Sequence, residues 1–494
     1  MNSKKTPVLS KTRYLAGLKC PLRLWHQCYN RNVSVVSPVT QAAFDTGHSV
    51  GDLATRLYPG GIRMDTDPLR HGAAVRSTRE ALNNPNPPAI YEAAFLFDAV
   101  QVKVDILERA GNDKWNIIEV KSSTKVKDEH VPDVGIQCYV LKGAGLNIGR
   151  AYLMHVNNQY VYDGEQLQLE HFFSFSDVTD QALSYQAEIP GRLAQLRDML
   201  SRDYPPDALP YRGCNSPTPC EFWEYCTREM PEQAVMALPG ISRKKMDELA
   251  TMGIREIGDI PESFPLSIKQ KRARDCVRNG EEYIERELDH ELKDVEYPIH
   301  FLDFETLGLA IPRYAGTRPY QTVPFQWSDH VLHEDGTVEH RDYLCEEDRD
   351  PREEFASTLL DALGTKGSIF MYTTYEEAVL KELAENLPEH REHVLALLDR
   401  LKDLYSIISA HFYHPKFHGS FSLKSVLPAL LPEMSYETLS IQEGQEAGLK
   451  YLRMIDPTTG PQEKETVKKD LLTYCGHDTL AMVRIREELL KRFG

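Results

Sequence analysis

A cysteine at position 20 and three more at 214, 220 and 226, in the C-x5-C-x5-C run GCNSPTPCEFWEYC, bracket the first half of a 494-residue chain. If their sulfurs share one centre, that bond closes a very long loop and organises everything inside it. Thiolates are soft donors and select zinc or an iron–sulfur centre; the spacing fits both. Cys28 competes for the place of fourth ligand, while Cys138, Cys276, Cys345 and Cys475 read as buried or idle thiols. The N-terminal stretch MNSKKTPVLSKTRYLAGL has no long apolar run and no clear cleavage site, so no signal peptide is expected. Nine cysteines, an odd number, then fit a reducing cytoplasm, where clustered thiols point to metal rather than to disulfides.

The length suits two or three domains. The formal net charge of −17 weighs against long, non-specific duplex binding, although a basic groove can sit locally on an acidic protein. No stretch of about 20 apolar residues is present, so no membrane span is expected. Three regions separate: 1–231, which holds the cysteine frame; a helical, charged segment at 232–290; and 291–494, which starts at a strand and ends in a helix.

Within the first region, VQVKVDILERAGNDKWNIIEVKSS (100–123) alternates apolar and polar residues with period two and turns at Gly111-Asn112-Asp113, the pattern of a β-hairpin. A turn centred on Asn112 sets Asp105 opposite Glu119, and directly paired residues point to one face with Cβ atoms about 5 Å apart. Lys121, two residues on, shares that face. Two close carboxylates repel each other, a divalent cation relieves the repulsion, and oxygen donors suit magnesium or manganese. A solvated hairpin face with an ordinary salt bridge is the competing reading.

Asp105 followed by Glu119-Val120-Lys121 resembles the PD-(D/E)XK nuclease motif of RecB-type enzymes. FDTGHSVGDLA (44–54) resembles the helix that supplies their metal-binding histidine, here His48, and DVGIQCYVL (133–141) the helix after the motif, with Gln137 at its glutamine position and a tyrosine at 139 rather than 141. The resemblance implies that Asp105, Glu119 and His48 hold Mg2+ or Mn2+, and that Lys121 orients water or steadies charge on phosphate. With KCPLRLW around Cys20, the cysteine frame is similar to that of AddB-type nucleases and the CRISPR-associated iron–sulfur exonucleases. This implies a [4Fe–4S] cluster on Cys20, Cys214, Cys220 and Cys226.

LPGISRKKMDELATMGIREIGDIP (238–261) looks like one helix-hairpin-helix unit. Gly240 would make the turn, and Arg243, Lys244 and Lys245 would stand at a helix start able to meet a phosphate. A plain helical linker is the alternative.

In the third region, YPIHFLDFETLGL (297–309) reads as a strand whose Asp303 and Glu305, two apart, share a face. VPFQWSDHVLHEDGTVEHRDYLC reads as a hairpin around Asp335-Gly336, SIFMY (368–372) as a short strand and the residues from Tyr375 as a helix. Tyr474 and Asp478, four apart, share a helix face. This order resembles the DnaQ-like (DEDD) exonucleases on an RNase H-like fold. Asp303-Phe304-Glu305 matches the first motif and Tyr474-x-x-x-Asp478 the third, while Glu376 stands where the second has an aspartate and Asp403 is the alternate. The resemblance implies two metals, with Tyr474 assisting the water. PRYAGTRPYQTVPFQWSDH (312–330) and FHGSFSLKSVLPALLP (417–432) also resemble an uncharacterised bacterial family fused to RecB-type nucleases. Gly419 to Lys424 reads as a loop opening a helix, able to hold a phosphate or simply capped.

The expectation is therefore an α/β protein: a PD-(D/E)XK restriction-endonuclease-like domain and an RNase H-like (DnaQ-like) domain joined by a helical segment. Its expected activity is that of a cytoplasmic nuclease acting on DNA, on single-stranded ends, in repair, recombination or defence. A nucleic-acid-binding scaffold with one dead site and an RNA exonuclease are the alternatives.

Overall fold

The computed structural model describes residues 7–65, 67, 70–215 and 219–493. The start of the N-terminal stretch, residues 1–6, and part of the loop between Cys214 and Cys220 lie outside them. The chain is mixed α/β and forms two compact units. One comprises Met1–Thr227 with Leu309–Gln321, the other Arg228–Gly308 with Thr322–Gly494. The helical segment expected to stand apart at 232–290 thus clusters with the second unit, and thirteen residues from the expected third region (309–321) cluster with the first. No helix among the described residues is long and apolar enough to cross a membrane.

The first unit is built on a seven-stranded mixed sheet. Strands Ala89–Phe97, Val100–Gly111 and Lys114–Lys121 run antiparallel in sequence order. The hairpin closes through Asn112 (φ 51°) and Asp113 (φ 57°), the left-handed pair that a tight two-residue turn requires. A bulge between Arg109 and Gly111 shifts the register, so that Ile106 pairs with Ile118 and Asp105 comes to face Glu119. Lys114–Lys121 then pairs in parallel with Ile148–Val156. A parallel neighbour needs a crossover, which helix His130–Gly143 supplies. The helix packs its Val134, Ile136, Val140 and Leu141 into the same core as Leu107, Ile117 and Leu153. It therefore covers the sheet face that carries Glu119.

The second unit has a five-stranded sheet in the order Val338–Leu344, Val323–Leu332, Ile299–Leu307, Ile369–Met371, Leu401–Asp403. The first three are antiparallel and the last two are added in parallel. Alternation along Ile299–Leu307 sends its side chains to two different faces. Leu302 and Phe304 join a core with Phe355, Leu380 and Val394. Phe301, on the opposite face, stacks on Phe370 at 5.4 Å, against Arg486 of helix Pro461–Leu490. Asp303 and Glu305 share that second face and so look toward the 30-residue helix that carries Tyr474 and Asp478. In the middle segment, Gly240 has φ 59° and Ser242 caps helix Arg243–Thr251 through the Lys245 amide. Arg243 is paired with Asp247 at 2.9 Å and Lys245 with the Pro265 carbonyl at 2.5 Å, so of the three basic residues expected at a phosphate, two are engaged within the unit.

Candidate functional sites

In the first unit the hairpin brings Asp105, Glu119 and Lys121 together. Lys121 Nζ donates to Glu119 Oε1 at 2.7 Å, and Asp105 Oδ2 accepts from the Val120 amide at 2.8 Å. Two residues that the pattern of the sequence left unassigned complete the group. Asp133 accepts from Lys121 at 2.5 Å, and Lys11, at the start of helix Lys11–Lys19, lies 2.7 Å from Glu119 Oε1 and 3.0 Å from Asp133 Oδ1. Gln137 donates to Glu119 Oε2 at 2.7 Å and to Asp133 Oδ1 at 3.1 Å. Asp133 lies four residues before Gln137, one helix turn, so a signal for it was present; none marked Lys11.

Burial, then the neighbouring Glu119, pushes the Asp105 carboxyl up to about 7. Burial would also raise Asp133, but Lys11 and Lys121 hold it well below the usual carboxylate range. Burial opposes the charge on Lys11 too, yet Asp133 and Glu119 carry it well above its ordinary value. Glu92, between the pairs Tyr91–Ile106 and Ala93–Val104, has φ 55°. A non-glycine residue held there stores on the order of 1–2 kcal/mol of strain, of the kind that collects at functional sites.

His48 is exposed on helix Pro38–Thr55, and among the described residues no three of Asp105, Glu119, Asp133 and His48 close to within 4.8 Å of one another. Tyr139 bonds Asp98 instead.

The four frame cysteines do converge. Burial, then the thiols of Cys220, Cys20 and Cys214, pushes the Cys226 thiol up to about 11. The Cys20 sulfur caps helix Pro21–Tyr29, accepting from the Arg23 amide at 3.5 Å. Among the described residues no three of these sulfurs lie within 4.8 Å of one another. Cys28 packs against the hydrophobic core. A cavity of about 940 Å3 is lined by all four cysteines and by Asp105 and Glu92, with Lys11, Arg13, Lys19, Arg23, Arg31 and Lys103 around it. Glu221 lines it too and pairs with Arg23, while Lys11 is held by Glu119 and Asp133, so its excess of basic charge rests on Arg13, Lys19, Arg31 and Lys103.

In the second unit, Asp303, Glu305, Glu376 and Asp478 come from three separate stretches of chain into one buried site. Glu305, Glu376 and Asp478 are 6%, 3% and 8% exposed. Burial, then Asp478, carries the Asp303 carboxyl well above its usual range. Burial, then Asp303, does the same to Glu305 and to Glu376. Asp478 is raised by burial to about 6, against the pull of a hydrogen bond from the Tyr436 hydroxyl and of Lys424. Helix Pro461–Leu490 is held on the sheet by Gln326 Nε2 to the Leu471 carbonyl at 2.9 Å and by Ser328 to Thr479 at 2.9 Å.

Of the two candidates for the remaining acid, Asp403 is engaged as the cap of helix Leu404–His411, with bonds to Ser406 and Thr373. Glu376 Oε2 makes no hydrogen bond. Tyr474 is buried, and burial, then Asp478, raises its hydroxyl far above the ordinary phenol value. Lys424 Nζ stands 5.5 Å from the rings of both Tyr436 and Tyr474, which ties the Gly419–Lys424 loop to this site. Tyr436 was invisible in the sequence. Cys475, expected to be an idle thiol, donates to Asp303 Oδ2 at 3.3 Å.

These raised carboxyls set a sign for pH. The native state retains protons that the unfolded chain has already released, so without metal their contribution to stability falls as pH rises from about 4 through about 7. A divalent cation held among these carboxyls would reverse that loss. Mn2+ is expected to raise the melting temperature by about 5 °C or more near pH 8 and by less than about 2 °C near pH 5, read by calorimetry.

Residues 300–422 match the family model described as Domain of unknown function (DUF2779). The uncharacterized protein UU173 of Ureaplasma parvum serovar 3 is 25% identical over 210 residues, 37% of this chain and 30% of that protein, so the match spans under a third of that curated relative. A solved structure titled "Crystal structure of SSO0001" has 15% identity with this chain, covering 46% of this chain and 89% of that one, with a TM-score of 0.22.

Proposed function

We propose that the chain is a divalent-cation-dependent nuclease acting on DNA at single-stranded ends, with hydrolysis centred on Asp303, Glu305, Glu376 and Asp478. The observation that carries the reading is the meeting of these four carboxyls in one site, with Glu305, Glu376 and Asp478 buried and Asp303 half-buried. Burial, then repulsion from a neighbouring acid, holds Asp303, Glu305 and Glu376 well above the carboxylate range, and Glu376 Oε2 is left without a partner. A site of this kind is costly unless cations neutralise it, and its carboxylate oxygens fit Mg2+ or Mn2+. When bound, such ions supply charge stabilisation for the phosphate and an activated water. The protein's own contribution is positional. The four acids are carried by one strand and two helices, the Tyr474 phenol orients a water, and Lys424 offers a positive charge to the departing oxygen. The strand order and the single antiparallel-to-parallel change support an RNase H-like reading of this unit.

For the first unit, the Asp105–Glu119–Lys121 face with Gln137 supports the PD-(D/E)XK reading, and the converging cysteines support a bound cluster. The likeness of this frame to that of the iron–sulfur nucleases favours a [4Fe–4S] centre over a single zinc. Lys11 favours a second reading of the carboxylate site. Its ammonium sits between Glu119 and Asp133, where a cation would lie. On that reading the basic cavity binds the strand and hydrolysis is confined to the second unit.

The test is Mn2+-dependent degradation of end-labelled single-stranded DNA and RNA by the wild type, Lys121→Ala and Asp303→Asn. Placed in the Asp303→Asn background, Lys121→Ala is expected to lower the residual rate by a further factor of about 10² if the first unit cleaves, and to weaken strand binding alone if it only binds. Wild-type cleavage by Asp303→Asn would overturn the central assignment. Preference for RNA would move the substrate class and leave the chemistry unchanged.

A further inference from the structure

Cys475 lies one residue after Tyr474 on the helix that faces Asp303 and Glu305. It is fully buried. Its thiol donates to Asp303 Oδ2 at 3.3 Å, and its sulfur lies with one carboxylate oxygen each of Asp303 and Glu305 inside a group whose members are all within 4.8 Å of one another. A second, independent feature points to a ligand here. Glu376 is 3% exposed, its Oε2 has no hydrogen-bond partner, and its carboxyl is within electrostatic reach of Asp303 and Asp478. One sulfur and two carboxylate oxygens, with the buried Glu376 carboxyl in electrostatic reach of Asp303, form a mixed donor set. Carboxylates alone favour magnesium or manganese, whereas a thiolate in the set raises affinity for softer ions. A tetrahedral ion with bonds of about 2.0–2.3 Å needs donors only somewhat closer together than these.

We infer that Cys475 is a direct ligand in the second unit's cation site and biases it toward thiophilic divalent cations such as zinc, cobalt or cadmium over magnesium. This rests on the carboxylate pocket being a cation site, as proposed above.

The experiment loads the full-length protein with Mn2+, which the soft four-cysteine centre does not favour, and reads free Mn2+ by electron paramagnetic resonance. The bound fraction lost in Asp303→Asn defines the second site. Displacement of that fraction by Cd2+ should require about 10-fold more Cd2+ or greater in Cys475→Ser than in the wild type, while displacement by Mg2+ changes less than about 3-fold. An equal Cd2+ requirement in the two proteins would overturn the inference and leave the parent reading standing. Unchanged Mn2+ binding in Asp303→Asn would overturn the parent reading itself. Should Cys475→Ser misfold, Cys475→Ala serves in its place. A reading that leaves residue 475 untouched is the sulfur-to-cadmium charge-transfer absorbance, which Asp303→Asn should lower by the share of one thiolate. No loss in that band would count against Cys475 as a ligand.

Discussion

Asp303→Asn is expected to lower Mn2+-dependent hydrolysis by about 10³-fold or more and, in the absence of metal, to make the protein more stable near pH 8. The two effects have one cause. Asp303 is the largest charged neighbour raising both Glu305 and Glu376, after burial itself. Asparagine keeps its size and an oxygen for the Cys475 thiol while removing one of the mutually repelling charges. The remaining carboxyls then ionise at lower pH, and the native state stops holding protons that the unfolded chain gives up. Each unit of relaxation returns about 1.4 kcal/mol above the folded pKa, so a gain of about 1–3 kcal/mol in the metal-free protein is expected by calorimetry or urea titration. Below about pH 4, where these acids are protonated in both states, the gain should vanish. A mere folding defect would lower activity and stability together, so opposite signs identify a cation pocket. Lower stability at pH 8 would show that Asp303 is a structural partner instead.

Cys226→Ser should have the largest effect on the first unit. Cys226 is the thiol whose surroundings include all three of its frame partners, and one of those, Cys20, belongs to the N-terminal helices while the others lie at the far end of the unit. Closing a loop of that size removes about 5 kcal/mol of unfolded-chain entropy in the cross-link approximation. For a unit of this size that is about 10–20 °C in melting temperature. The variant should lose any broad absorbance near about 400 nm that the anaerobically purified wild type carries, and the ends of the first unit should become sensitive to protease. Cys28→Ser is the control. Cys28 packs against the core away from the frame, and burial raises its thiol without any contribution from another cysteine; its replacement should leave the absorbance intact. Loss of the absorbance in Cys28→Ser but not in Cys226→Ser would exchange their roles.

The parts of both sites that could be read in advance are those encoded by a local period. Asp105 faces Glu119 because a two-residue turn and one bulge fix a hairpin register over fewer than twenty residues. Asp303 and Glu305 share a face because strand side chains alternate, and Tyr474 and Asp478 share one because a helix turns in about four residues. The cysteine frame was legible for another reason, the rarity of the residue and its soft-donor chemistry. What the tertiary structure alone decided are meetings between segments with no common period. Lys11 closes on Glu119 across 108 positions and Cys475 on Asp303 across 172. Tyr436 bonds Asp478 from a loop, and Glu376 is left free while Asp403 is used as a helix cap. His48 and residues 309–321 show the same limit from the other side. Strand and helix periods state which face a side chain takes, but which surface that face then meets depends on how whole layers pack, and packing depends on the shape of every residue in the layer.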